Sequence, residues 1–147
     1  MNNNIIPSDR AVLAAVIDPD AYTAAAYSSG WVHMGTYENI MAVLKVGTMA
    51  TSSTVDAKLE QAQDDSATGL KDITGKSITQ LTEAGTDSDK QAIINCRADE
   101  LDVANGFDYV RITVTVATAA SDLDAAIFGF DARYQPATDI TTVDEIV

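Results

Sequence analysis

Regular alternation of apolar and polar residues at positions 109–116 is the feature that most limits the folds open to this chain. Four β-branched apolar residues fall on one side of an extended backbone here: Val110, Ile112, Val114 and Val116. The residues between them, from Tyr109 to Thr115, fall on the other side. A period of two is typical of a strand with one covered face, and an amphipathic helix has a different period. The chain must therefore build a sheet and cover one side of it.

Strand character recurs along the rest of the sequence. Further strands are predicted at residues 31–34, 37–46, 91–97 and 125–134. The run from Ile40 to Leu44 is apolar without interruption, which indicates a central strand covered on both sides, or one whose second face meets a symmetry mate. Phe128 and Phe130 share one side of the last strand, and aromatic residues of this kind most often pack in a core.

Two segments fit either period. In residues 55–62, Val55, Ala57 and Leu59 alternate with charged residues as in a strand, while the spacing of Val55, Leu59 and Ala62 also suits a helix. The preceding Ser53 and Thr54 resemble the start of a capping box. Residues 10–17 are equally compatible with a helical turn after Ser8 and Asp9 and with an extended arm.

Short segments separated by loops rich in Gly, Asp, Ser and Thr point to an all-β fold, a single antiparallel β-sandwich. Strands do not alternate with long helices, which argues against a parallel α/β sheet. We divide the chain into an N-terminal arm (residues 1–30), a β-sandwich domain (residues 31–134) and a polar, acidic C-terminal tail (residues 135–147). One domain is what 147 residues predict.

Charge excludes two classes of partner. Nine Lys and Arg residues face 22 Asp and Glu residues, giving a net charge of −13 and a pI near 4.1. Binding to nucleic acid or to an anionic membrane surface requires the opposite sign, so neither partner is expected. The sequence has no apolar run near the roughly 20 residues that a membrane-spanning helix needs. A soluble protein without a signal peptide is expected.

Catalytic motifs are absent from the sequence, so we predict no enzyme activity, no catalytic residue and no cofactor. His33 is the single histidine and Cys96 the single cysteine, and both fall in strand-like segments. His33 is expected to be an ordinary strand residue, and Cys96 a buried thiol rather than a nucleophile. The Gly75-Lys76-Ser77 triplet lacks the spacing of a phosphate-binding loop. Any pair of carboxylates could serve a glycosidase, but nothing in the sequence singles one out.

Aspartates occur in four close pairs: Asp18 and Asp20, Asp64 and Asp65, Asp87 and Asp89, Asp122 and Asp124. Carboxylates two residues apart in a loop can begin a calcium site, but no pair is followed by the full spacing of an EF-hand loop. We interpret them as solvated turn residues and predict no metal site, with a loop Ca²⁺ as the alternative.

Four stretches resemble a known family. They are residues 31–48 (WVHMGTYENI leading into the apolar strand), 54–69, 78–81 and 106–116. As a set, they are similar to small structural proteins of tailed bacteriophages that are encoded beside the major capsid protein. The resemblance covers residues 31–134. It implies a jelly-roll sandwich, made in the host cytoplasm, that sits on the exterior of the capsid as a cement or decoration protein. The implied partners are the major capsid protein and further copies of the chain, as a dimer or trimer.

The N-terminal arm carries apolar residues without an obvious partner in the strand pattern, and it is the predicted contact with the shell. The candidate contact residues are Ile5, Ile6, Arg10, Leu13, Ile17, Tyr22 and Tyr27. The alternative is that this segment supplies the first strand of the sandwich. Three other functions stay open: a head–tail connector or tail protein, a carbohydrate-binding module that uses strand aromatics, and a small enzyme on a sandwich fold.

Overall fold

A computed structural model describes residues 6–147, which form two packed antiparallel sheets. Eight strands build the sheets: β1 (Ala11–Tyr22), β2 (Ala25–Ser28), β4 (Tyr37–Met49), β5 (Thr54–Ala62), β6 (Lys71–Ser77), β8 (Gln91–Arg97), β9 (Tyr109–Ala117) and β10 (Ser121–Ala132). Two strands of two residues each, β3 (Val32–His33) and β7 (Leu81–Thr82), extend one sheet. A single helical turn, α1 (Pro7–Arg10), precedes β1, and 3-10 turns at Ala98–Glu100 and Val103–Asn105 lie between β8 and β9.

The strand pairs are nested in the sequence, with the earliest strand paired with the latest. Among the eight long strands, the first pairs with the last (β1 with β10), the second with the seventh (β2 with β9), the third with the sixth (β4 with β8), and the fourth with the fifth (β5 with β6). The resulting sheets have the orders β1-β10-β4-β8 and β2-β9-β5-β6, with β3 on β9 and β7 on β5. A long hairpin rolled up in this way is a jelly roll. The predicted jelly-roll-like β-sandwich is confirmed.

Apolar side chains from alternate positions of both sheets fill the space between them. The six-stranded sheet contributes Val55, Leu59, Val110, Ile112, Val114 and Val116, and the four-stranded sheet contributes Val12, Ile40, Leu44, Cys96 and Ile127, all at most 2 % exposed. Burial of this many β-branched and branched-chain residues is the main force that holds the sheets together.

Residues 55–62 form strand β5, so the strand alternative is the correct one. Backbone hydrogen bonds join β5 to β9 on one side and to β6 and β7 on the other. A helix at this place would satisfy its own backbone but leave the edge of β9 unpaired. The local sequence fits a strand and a helix equally well, and the pairing of β5 with strands on both sides favours the strand.

Residues 11–28 are not an arm, which corrects the division of the chain at residue 30. They form β1 and β2, one strand in each sheet, and α1 ends at Arg10. Asp18-Pro19-Asp20 lies inside β1, where the register with β10 shifts between Ile17 and Asp20. An irregular edge strand accommodates a proline, because the missing N–H falls where no ladder bond is needed.

Among residues 6–147, no helix has the length and apolar character needed to cross a membrane.

Candidate interaction surfaces

The four-stranded sheet has an apolar side that faces away from the core. Two rows of residues cross all four strands in register: Val16, Ala126, Val43 and Ile93, and beside them Leu13, Phe128, Met41 and Asn95. With Phe130 at the next position of β10, the apolar members of these rows form the outer apolar face. They are half-buried, except for Ile93, which is 58 % exposed.

This arrangement revises two expectations about the core. β4 lies between β10 and β8, as a central strand should, but only its inner side is buried, since Met41 and Val43 are half-exposed. Phe128 and Phe130 also point outward, while Ile127 and Gly129 occupy the inner positions of β10. The core-packing interpretation is therefore wrong for these two phenylalanines.

Charged residues at the ends of the outer apolar face pair with one another. Lys45 Nζ lies 3.0 Å from a carboxylate oxygen of Asp124 on the neighbouring strand. At the other end of the face, an Arg133 nitrogen lies 3.4 Å from Glu38 Oε1. Each pair is neutral, and the exposed Asp122 is a further carboxylate at the Lys45 end of the face. The apolar centre itself carries no charge, on a chain whose total is −13.

The outer side of the six-stranded sheet is polar instead. Glu60 accepts hydrogen bonds from Arg111 Nε at 2.9 Å and Thr113 Oγ1 at 2.7 Å, and Lys58 Nζ lies 3.2 Å from its other oxygen. Lys58 also donates to Asp72 at 2.7 Å. The two sides of the sandwich therefore differ in chemistry, one apolar and one an ion-pair network.

Glu60 is 7 % exposed, and its environment determines its charge. Burial alone would raise the pKa of its carboxyl, but the hydrogen bonds from Thr113, Arg111 and Lys58 outweigh burial and hold the pKa below its ordinary value. The Arg111 guanidinium also lies 4.7 Å from the centre of the Trp31 ring, a cation–π distance. Glu60 is therefore ionised at neutral pH and fully paired.

The α1 turn and the C-terminal tail lie together beside β1. An open cleft of about 550 Å³ lies between them, lined by Ser8 and Asp9 of α1 and by side chains of residues 137–146. The tail is attached to the edge of β1, because Leu13 N–H donates to Asp139 Oδ1 at 2.7 Å and Ile140 N–H donates to Leu13 O at 3.0 Å. We call residues 6–10 and 137–147 the terminal surface. Ile6, Ile146 and Val147 are exposed on it.

The structure separates the predicted contact residues. Ile6 and Arg10 lie on the terminal surface, and Leu13 lies on the outer apolar face. Ile17 is buried in the core, so its contacts lie within its own chain.

Tyr22 is the last residue of β1, roughly 40 Å from Arg10 at about 3.3 Å per residue, and Tyr27 lies in β2. Their rings pack on each other with centres 4.4 Å apart. Ile5 lies outside the described residues.

His33 and Cys96 lie in different sheets and have different environments. His33 extends the six-stranded sheet, where its Nε2 lies 3.0 Å from Asp108 Oδ2 and its ring packs on Tyr109. Cys96 is buried in the four-stranded sheet, and burial raises the pKa of its thiol to about 11. A thiol with that pKa is protonated at neutral pH and is a poor nucleophile.

The aspartate pairs and the Lys76 triplet have local structural roles. Asp64 accepts backbone hydrogen bonds from Ser66 and Thr68, and Asp87 accepts one from Thr82 N–H at 2.9 Å, so each carboxylate closes its own loop. Lys76 of β6 donates to Asn95 O at 2.8 Å, at the open edge of β8. Within residues 6–147, no group of three or more His, Cys, Asp or Glu side chains is arranged to hold a metal ion.

No family model matches the chain, and no curated protein sequence matches it. Solved structures with some likeness include infectious bursal disease virus, strains Gx and Gt. They show 11 % and 9 % identity and TM-scores of 0.44 and 0.46 over 87 % and 88 % of this chain. The chain spans 34 % of the length of each.

An empty virus-like particle of cowpea mosaic virus shows 13 % identity and a TM-score of 0.40 over 95 % of this chain and 89 % of that one. At these scores, the fold assignment rests on the strand pairing described above.

Proposed function

We propose that this chain is a structural protein of a phage particle that binds the outside of an icosahedral capsid and cements the shell by bridging major capsid subunits. Jelly-roll sandwiches also occur in lectins and cupins, so the fold alone does not select this function. The observation that carries the proposal is the terminal surface, where α1 and the C-terminal tail lie together with exposed apolar residues. The resemblance of residues 31–134 to phage head proteins supports the same role.

The terminal surface indicates what its partner must offer. It combines the exposed Ile6, Ile146 and Val147 with four carboxylates, Asp9, Asp139, Asp144 and Glu145, against Arg10 as the basic residue. A complementary site on the capsid therefore has an apolar centre with Lys or Arg residues around it. A protein that binds only the assembled lattice stabilises it by mass action, which is the physical basis of a cement.

Copy number tests the role directly. Purified particles of the virus that encodes the chain should carry it in hundreds of copies, in a fixed ratio to the major capsid protein, as icosahedral symmetry requires. A head–tail connector with cyclic symmetry would be present in about a dozen copies. A ratio in that lower range would contradict the cement function.

Binding to shells that lack the protein tests the terminal surface. We expect Ile6→Asp to abolish co-sedimentation with such shells, because it places a charge in the apolar centre of the contact. Val103→Asp is the matched control, since Val103 is 60 % exposed and Ile6 is 53 % exposed, each beside a short helical turn. Equal binding by both variants would refute the terminal contact.

A further inference from the structure

The centre of the outer apolar face has the composition of a protein interface. Phe128 lies opposite Met41 on one side and Leu13 on the other, and Ala126 lies opposite Val43. Aromatic residues and methionine are enriched at interface centres, and a contiguous apolar patch on a sheet is seldom left facing water. The face is therefore a candidate for contact with another surface.

Charge favours a second copy of this chain as the occupant. Two molecules of net charge −13 repel over most of their surfaces. The centre of the outer apolar face differs, since it carries no charged residue, and the charges at its ends include the neutral pairs Lys45–Asp124 and Glu38–Arg133 together with the exposed Asp122. A like-charged copy can therefore bring the apolar centres together without placing one carboxylate against another there. A basic partner would bind more favourably to the terminal surface, because that surface carries four carboxylates.

The relief of the face also suits a copy of itself. Phe130, Phe128 and Met41 make a high ridge, and Ala126 and Val43 make the low row beside it. Consider a twofold axis that runs between the stacked sheets, parallel to the two rows and midway between them. It would place Phe128 of each copy over Ala126 of the partner subunit. This self-complementarity is what an isologous contact requires.

We propose that the outer apolar face binds the same face of a second copy, so that two four-stranded sheets stack across a twofold axis. The proposal rests on the proposed function for its biological context, the capsid surface. Dimerisation itself can be measured on the isolated protein, without a capsid shell. The contact would span four strands about 4.8 Å apart and four residue rows about 6.8 Å apart, namely the two apolar rows and the flanking rows of Lys45 and Phe130. It would cover roughly 1,000 Å² over both copies, near the lower limit for a specific interface. The dimer should therefore dissociate at micromolar concentrations.

Sedimentation velocity of the full chain from about 1 µM to about 1 mM tests the pairing. We expect a monomer–dimer equilibrium that Phe128→Lys shifts at least tenfold toward monomer. Thr115→Lys is the matched control, because Thr115 is half-buried and lies mid-strand on the outer side of the six-stranded sheet. A monomer at every concentration, or equal shifts in both variants, would overturn the proposal.

A cysteine variant gives an answer even if Phe128→Lys does not fold. The native Cys96 is buried, so an added surface cysteine is the reactive thiol. Ala126→Cys lies about 12 Å from the partner's Ala126 across the proposed axis, because the stacked sheets are about 10 Å apart and the two positions are offset by one row of about 6.8 Å. That distance is too long for a direct disulfide, but a short bis-maleimide should cross-link Ala126→Cys into a dimer, whereas it should not cross-link Thr115→Cys. Equal cross-linking of the two variants would refute the pairing.

The two proposals fail separately. A dimer whose wild-type form does not bind shells would contradict the cement function alone. A monomeric chain that binds shells, and that loses shell binding on Phe128→Lys, would overturn the self-pairing and make the capsid the occupant of the outer apolar face.

Discussion

The ring of Tyr37 lies directly over Gly129. A Cβ built on Gly129 would lie 2.5 Å from Tyr37 Cδ1 and Cε1, closer than real carbon atoms approach. Gly129 occupies the middle of β10, a position where glycine normally weakens a strand. Here the missing side chain creates the space that the buried tyrosine fills.

Gly129→Ala should therefore lower the free energy of unfolding by about 1–3 kcal/mol, the usual cost of overpacking a core. Urea denaturation monitored by circular dichroism measures it. Gly30→Ala is the control, because a Cβ there meets no atom within 4 Å. If both substitutions lower the free energy of unfolding by the same amount, the close contact between Tyr37 and Gly129 is not the cause.

Glu60 should make stability depend on pH in a predictable direction. Its pKa is below the ordinary value in the folded state, so its contribution is present above the unfolded-state pKa and is lost as pH falls through the folded-state pKa. Glu60→Gln should cost about 1–3 kcal/mol at pH 7, and the difference from wild type should narrow below about pH 4.5.

Comparing the two proteins at each pH removes the effect of the other carboxylates, several of which also have lowered pKa values. Asp72→Asn is the control at the exposed end of the same network, where an ion pair contributes little. A difference between Glu60→Gln and wild type that stays constant from pH 7 to pH 3 would contradict the assigned role.

Cys96 should be inert in the folded protein. Burial raises the pKa of its thiol to about 11, and the side chain is 1 % exposed. We expect modification by a disulfide reagent at pH 8 to be limited by unfolding and to become rapid in denaturant. Rapid modification of the native protein, with circular dichroism unchanged, would show that the thiol is accessible.

Asp139 should hold the tail against β1. Replacing it with Ala removes the acceptor of the Leu13 N–H bond, so hydrogen exchange at the Leu13 amide should accelerate at least tenfold. The midpoint of unfolding should change little, because the sheets are unaffected. Asp144→Ala, an exposed residue of the same tail, is the control. Unchanged exchange at Leu13 would indicate that Ile140 alone holds the tail.

Local patterns in the sequence were enough to predict several strands, but the first one only as an alternative. The alternation at residues 109–116 corresponds to β9, and residues 91–97 match β8. β1 was predicted only as the alternative to an arm that contacts the shell, because Asp18-Pro19-Asp20 is a turn signal in isolation. It is extended here because β10 offers a pairing partner about a hundred residues later in the chain.

Periodicity also shows which residues share a side of a strand, but not which side faces the core. Phe128 and Phe130 were assigned inward because large aromatic residues usually are. The inner side of β10 instead carries Ala125, Ile127 and Gly129, because the neighbouring Tyr37 fills the space there. The uninterrupted apolar run at Ile40–Leu44 did indicate a second apolar side, for which the sequence left open cover within the sandwich or contact with a symmetry mate.

The position of β10 has a consequence for synthesis. It lies between β1 and β4, yet it is synthesised after all the other described strands. About a hundred residues separate the end of β1 from the start of β10, so at about 5–20 residues per second the nascent first strand waits roughly 5–20 s for its partner. During that interval the four-stranded sheet has a gap at its centre, with two unpaired strand edges. The sandwich therefore closes only once residue 132 has been synthesised, and an mRNA truncated before codon 132 yields an aggregation-prone chain rather than a smaller domain.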